Sequence, residues 1–266
     1  MTVFTLHRGT QPLLVSLPHA GTEIPPELHG GYVPRALAVE DTDWHMPRLY
    51  AFAREIGASV IEPVYSRYLI DLNRPPDDAP MYPGASNTEL CPTRFFTGDA
   101  LYLEGAAPTQ DEKLRRREAY WRPYHDALAA ELARLKAQHG FALLWDGHSI
   151  RGEIPWLFEG RLPHLNIGTA NGAAAHASIT NAVAAAAARH GDYTHVVNGR
   201  FKGGYITRHY GRPADSIHAV QLEMVQATYM DETPPFAWHA QRAARVQPVV
   251  REMVGAALAA AKALHG

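Results

Sequence analysis

Phe141-Ala-Leu-Leu-Trp-Asp-Gly-His-Ser-Ile150 is an apolar run that stops at Asp146 and is followed by Gly147, His148 and Ser149. A buried strand reads this way when it carries polar chemistry at its C-terminal end. In open α/β sheets, ligands sit in the crevice beyond the carboxyl ends of the strands. Two other predicted strands share the pattern. Leu13-Leu-Val-Ser-Leu-Pro-His19 runs apolar into a histidine, and His218-Ala-Val-Gln-Leu-Glu-Met-Val225 holds Glu223 inside an apolar run. Two histidines at strand ends and a carboxylate in a third strand are the parts of a metal-assisted hydrolase.

The remainder of the chain bounds that reading. With 266 residues, 46% of them hydrophobic, it can bury a sizeable core as one large α/β domain or two small ones. Lys and Arg number 25 against 27 Asp and Glu, which gives no electrostatic footprint for nucleic acid or an anionic membrane. The single cysteine, Cys91, excludes an internal disulfide framework. The first residues lack the charged and apolar regions of a signal peptide, and no apolar run approaches the roughly 18–20 residues of a membrane span. The expectation is a soluble, cytoplasmic protein. Fifteen histidines is a high count; only those at strand ends with polar company stand out.

Strands are expected over residues 12–19, 58–65, 68–72, 141–146, 165–169, 194–198 and 218–226. Helices are expected over 41–57, 111–139, about 176–190 and roughly 236–264. Pro47 fits only the first turn of the first helix, and Pro123 should kink or split the second. The short hop at Ser66-Arg67 suggests that the strands at 58–65 and 68–72 pair antiparallel, giving a mixed sheet with helices on both faces. Residues 73–110 form a long irregular segment rich in Pro, Gly, Asp and Asn, read as a lid or wall of the active site. Neither a repeat nor a linker divides the chain, so residues 1–266 are expected to form a single domain.

A catalytic zinc needs three protein ligands and one open position. His19 and His148 are the first two candidates, and the third must be another histidine or a carboxylate. Glu23 follows His19 in an irregular loop, while Asp41 and Asp43 stand at a predicted helix start, where an aspartate is usually only a cap. Asp146 lies on the same strand face as His148 and can hold its imidazole tautomer. Glu223 is either one polar face of a strand shared with Gln221 or a general base. Arg67, Asn73-Arg74 and Arg208 place guanidinium groups beside strand ends, which hints at an anionic substrate. The turn at Lys202-Gly203-Gly204 adds a cation and backbone N–H groups.

Six blocks in order resemble the N-formylglutamate amidohydrolase family. They are Ser-Leu-Pro-His19-Ala-Gly, Asp-Thr-Asp43-Trp with Leu-Tyr50, and Tyr-Ser-Arg67-Tyr-Leu-Ile-Asp-Leu-Asn73-Arg74. Asp-Gly-His148-Ser-Ile follows, then Asn-Gly-Arg-Phe-Lys-Gly-Gly-Tyr-Ile-Thr-Arg208-His209-Tyr-Gly and Gln-Leu-Glu223-Met. Each block alone is weak, but together they span residues 12 to about 231. The resemblance implies hydrolysis of N-formyl-L-glutamate to formate and L-glutamate in histidine degradation. It also implies kinship with zinc carboxypeptidases, hence a three-layer α/β/α fold around a central mixed sheet. Carried over, it implies Zn2+ on His19, an acidic residue and His148, with Glu223 as base. The carboxypeptidase His-x-x-Glu ligand pair is absent because position 22 is Thr, so Asp43 is the chosen acidic ligand, with Glu23 and Asp41 in reserve. Asn73-Arg74 would hold a substrate carboxylate, and Arg67, Lys202 and Arg208 are further substrate-binding candidates. Gly147 stands where a small residue such as Ala or Cys would be expected. The alternatives are a zinc amidase or carboxypeptidase acting on another N-acyl amino acid or a peptidoglycan fragment, and a non-catalytic binding protein for acidic amino acids.

Overall fold

The computed structural model describes residues 2–81 and 88–266. Its framework is a mixed sheet of seven strands. These are β1 (Phe4–His7), β2 (Leu13–Ser16), β3 (Ser59–Pro63), β4 (Ala142–Ile150), β5 (Leu165–Gly168), β6 (His195–Val197) and β7 (Ile217–Val225), in spatial order β1-β3-β2-β4-β7-β5-β6. The central strands β3, β2, β4 and β7 run parallel, as do β5 and β6. The sheet is mixed because β1 pairs antiparallel with β3, and β5 antiparallel with β7. Every residue of β4 and β7 is buried, which is why these segments lack the alternation of a half-exposed strand.

Helices cover both faces. On one lie α4 (Arg122–His139) and α6 (Tyr205–Tyr210), whose Tyr124, Leu128, Leu132, Leu135 and Ile206 pack on Leu14, Ala142, Leu144, Ile217 and Ala219. On the other lie α1 (Met46–Leu49), α2 (Phe52–Glu55), α5 (Ala177–Ala188) and α7 (Ala240–His265). They pack on Leu13, Val15, Leu143, Trp145, Val220 and Leu222. This is the three-layer arrangement expected.

Three expectations need correction. The strand at 141–146 continues to Ile150, so His148 lies within the strand rather than past its end. No strand forms over 68–72. There the Ser66 hydroxyl accepts the Tyr68 N–H, and the Asp71 N–H donates to Leu90 O. Side chains and loops thus satisfy the backbone of this short apolar run, and the antiparallel partner of β3 is β1, which the sequence reading missed. The single helix over 41–57 is two short helices preceded by His45 at φ 62°. Asp41 and Asp43 are not its caps, because both carboxylates point to partners elsewhere.

Residues 111–139 do split at Pro123. α3 (Gln110–Arg116), capped by Thr109, passes through a π-helical turn at Arg117–Trp121 into α4. Pro123 has no N–H to offer the turn before it, and a wider turn absorbs the missing bond. Of the long irregular segment, Asn73, Arg74, Thr88 and Phe96 line the central cavity, which is the wall role expected; its residues 82–87 lie outside those described.

Candidate active site

The alternation of the sheet gathers the polar residues. Asp146 and His148 share a face of β4 with Ala142 and Leu144, and Gln221 and Glu223 share the corresponding face of β7. In the parallel register His148 stands beside Glu223 and Asp146 beside Gln221. β2 delivers His19 three residues past its last residue. The Asp43 N–H then donates to His19 O at 3.0 Å, and the Ser149 N–H donates to Asp43 Oδ2 at 2.9 Å. Segments far apart in the chain are therefore tied together by backbone hydrogen bonds at the site.

His19, Asp43 and His148, all buried, place one donor atom each within 4.8 Å of one another. The two Nδ1 atoms are 3.1 Å apart, and His148 Nδ1 lies 3.4 Å from Asp43 Oδ2. The opposite imidazole nitrogens face carboxylates. His19 Nε2 is 2.7 Å from Asp71 Oδ1, and His148 Nε2 is 3.2 Å from Asp146 Oδ2. With a metal at the common point, protons on the two Nε2 atoms would leave both Nδ1 atoms free to bind it, as in carboxylate-bound metal-ligating histidines. Burial disfavours a charged His148, but Asp146, Asp43 and Glu223 outweigh it and raise its pKa well above the usual range. A field that draws a proton so strongly also draws a cation. Two imidazoles, one carboxylate and a buried anionic surround form a donor set that fits a divalent transition metal.

The reserve ligands are placed elsewhere. Asp41 is committed to Arg151, to the Tyr68 hydroxyl and to the Phe96 N–H at 2.7–2.8 Å, and Glu23 is exposed. Asp71 is the partner the sequence reading missed, because it sat in a presumed strand. Burial opposes its ionisation, yet His19 and Arg67 hold its pKa well below the usual carboxylate range. Asp71→Asn would weaken the orientation of His19 and leave Arg67 without its partner. Metal affinity measured by competition with a chelator should fall ~10–100-fold, the usual cost of losing such a partner. An unchanged affinity would show that Asp71 does not position the ligand.

Glu223 is buried beside this group, and burial, partly opposed by His148, pushes its pKa up to about 8. The cavity in front of it is lined by His19, Arg67, Asn73, Arg74, His148 and Gln221. Arg67 Nη2 pairs with Asp71 Oδ2 at 2.7 Å, and its Nη1 lies 3.2 Å from His19 Nδ1. Asn73 Nδ2 is 3.1 Å from His148 Nε2. Arg74 donates to Thr88 O, Thr88 Oγ1 and Asn73 O, which are neutral oxygens that orient its charge without cancelling it.

Lys202 and Arg208 lie outside this lining, and Arg200 is within it. Arg208 Nε donates back to Gly203 O at 2.8 Å. The glycine turn is not an open row of donors. Its Gly204 N–H donates to Gln221 Oε1 at 2.7 Å, and a Cβ at Gly204 would stand 2.3–2.6 Å from the Asn73 amide. The glycine thus serves close packing against Asn73. Gly147 has a similar reason, since a Cβ there would meet Leu17 Cδ2 at 2.8 Å and the Tyr50 ring at 3.1 Å.

Fold and site together define an α/β protein with a buried candidate metal centre and a buried carboxylate at the carboxyl ends of its parallel strands. The family model of N-formylglutamate amidohydrolase matches residues 11–230. N-formylglutamate deformylase of Pseudomonas aeruginosa is 52% identical over 257 residues, covering 97% of this chain and 96% of the relative. The enzyme of the same name from Pseudomonas putida is 51% identical over the same shares. The crystal structure of N-formylglutamate amidohydrolase from Ralstonia eutropha superimposes with a TM-score of 0.82 at 23% identity, covering 99% of this chain and 98% of that one. The chain belongs to the N-formylglutamate amidohydrolase family, and so is a hydrolase acting on an amide.

Proposed function

We propose that this chain hydrolyses the formamide bond of N-formyl-L-glutamate to formate and L-glutamate, using a zinc ion on His19, Asp43 and His148. The observation that carries the reading is one cavity in which His19 and His148, grouped with the buried Asp43, and Glu223 face Arg67, Arg74 and Arg200. It is reinforced by the activity named for relatives at 51–52% identity. Zinc, when bound, supplies Lewis-acid polarisation of the formyl carbonyl and a water that is nucleophilic at neutral pH.

The chain's residues do the rest. Asp71 and Asp146 fix the two imidazoles. Glu223 takes one proton of the attacking water as its oxygen bonds to the formyl carbon and hands that proton to the substrate nitrogen as the C–N bond breaks. The remaining acidic proton passes to the amine, so formate and an ammonium group result. Arg67, already charge-paired with Asp71, sits beside the metal ligands, where it can stabilise negative charge developing on the formyl oxygen. That differs from the carboxylate-binding role first expected of it. Asn73 and Arg74 bind the substrate α-carboxylate.

A place in histidine degradation and a cytoplasmic location belong to the same reading. Among the described residues no helix is long and apolar enough to cross a membrane. The test is formate release from N-formyl-L-glutamate by purified protein, before and after chelation and after zinc is restored. Activity lost with the metal and regained with zinc is expected. Metal-replete protein that releases no formate would overturn the proposal.

A further inference from the structure

We propose that Arg200 reads the distal carboxylate of the substrate and so selects acidic N-formyl amino acids over neutral ones. The inference rests on the function proposed above. N-formylglutamate carries two carboxylates, and a selective site should meet each with a cation. Of the three guanidinium groups in the cavity, that of Arg67 is already engaged by Asp71 and lies against the metal ligands. Arg74 adjoins Asn73, whose amide reaches His148, so it serves the end of the substrate next to the scissile bond.

Arg200 enters from the other flank. Arg67, Asn73 and Arg74 follow β3, on the β2 side of β4, whereas Arg200 follows β6, beyond β7 and β5. Its Nη2 donates to Leu157 O at 3.2 Å, which anchors the guanidinium to the connection between β4 and β5. The cavity wall beside it is apolar, formed by Ile150, Leu157, Phe158 and Phe201, with the two phenylalanine rings edge to face at 6.2 Å. A cation set in an apolar wall suits a carboxylate carried on a short methylene stem, which is the side chain of glutamate. Lys202 and Arg208, the cations first expected here, lie outside the lining.

The experiment compares N-formyl-L-glutamate with N-formyl-L-glutamine in wild type, Arg200→Gln and Arg200→Lys. A lost charge-assisted pair should lower kcat/KM of Arg200→Gln for N-formylglutamate ~10–100-fold, mainly through KM. The loss for N-formylglutamine should be several-fold smaller, and lysine should recover part of the preference. Calorimetry gives a second readout, since wild type should bind L-glutamate more tightly than L-glutamine and Arg200→Gln should not. Equal losses for both substrates, or none, would overturn the assignment of Arg200 while leaving the proposed function standing. A wild type inactive on N-formylglutamate would overturn the function itself and this inference with it.

Discussion

Glu223→Gln is expected to lower kcat by ~10²–10⁴-fold, the usual contribution of a positioned acid–base group, while the protein still binds metal and substrate. The substitution keeps the shape of the side chain and removes only its ability to accept a proton. Metal content and the KM of residual turnover should stay near wild type. The pH profile adds a sign. A base works when ionised, so wild-type kcat/KM should rise with pH as Glu223 titrates, and the variant should lack that limb. Stability runs the other way. Burial raises the folded-state pKa of Glu223 to about 8 from an ordinary value of 4.5. The folded form therefore holds the proton more tightly, and this contribution to stability is lost as pH rises toward 8. Glutamine has no charge to bury, so on the alkaline side the variant should melt no lower than wild type. A near-wild-type rate in Glu223→Gln would show that Glu223 is not the base.

His148→Ala should cost both metal and activity. Wild type is expected to carry about one zinc per chain, as a three-ligand catalytic site does. The alanine variant should carry little by elemental analysis and release no measurable formate. The loss should exceed that of Asp71→Asn, because a donor disappears rather than the group that orients it. Full metal retention would remove His148 from the ligand set. An excess of zinc should not restore turnover in His148→Ala, whereas it should restore part of the activity of Asp71→Asn.

Much of the site was legible because strand alternation is strict. His148, Asp146 and Glu223 could be placed from their positions in apolar runs, and those runs became the two longest strands of the sheet. Asp43 needed the family resemblance, since an aspartate ahead of a helical pattern looks like a cap. Asp71 was hidden by Tyr68-Leu-Ile-Asp-Leu72, whose apolar character comes from burial in a turn rather than from a strand. β1 was missed because its residues alternate between half-buried and exposed, which gives a weak hydrophobic signal. Arg200 was passed over in favour of Lys202 and Arg208. Which of three neighbouring cations faces the cavity depends on the path of a glycine turn packed against Asn73 and Gln221, and one-dimensional spacing does not record that path.

The nine-residue pairing of β4 with β7 divides the enzyme's labour in a way that matters for its evolution. The proposed proton acceptor Glu223 and the proposed metal ligand His148 face each other on a single rung of one buried ladder, and a one-residue slip would put Leu222 or Met224 in place of Glu223. Insertions and deletions are therefore excluded from these strands. Arg200, proposed to choose the substrate's side chain, and the Leu157 that anchors it lie instead on the connections that follow β6 and β4, outside the paired strands, where sequence changes are better tolerated. Descendants of such a scaffold can drift toward new acyl amino acids by remodelling two loops while inheriting the bond-breaking apparatus unaltered.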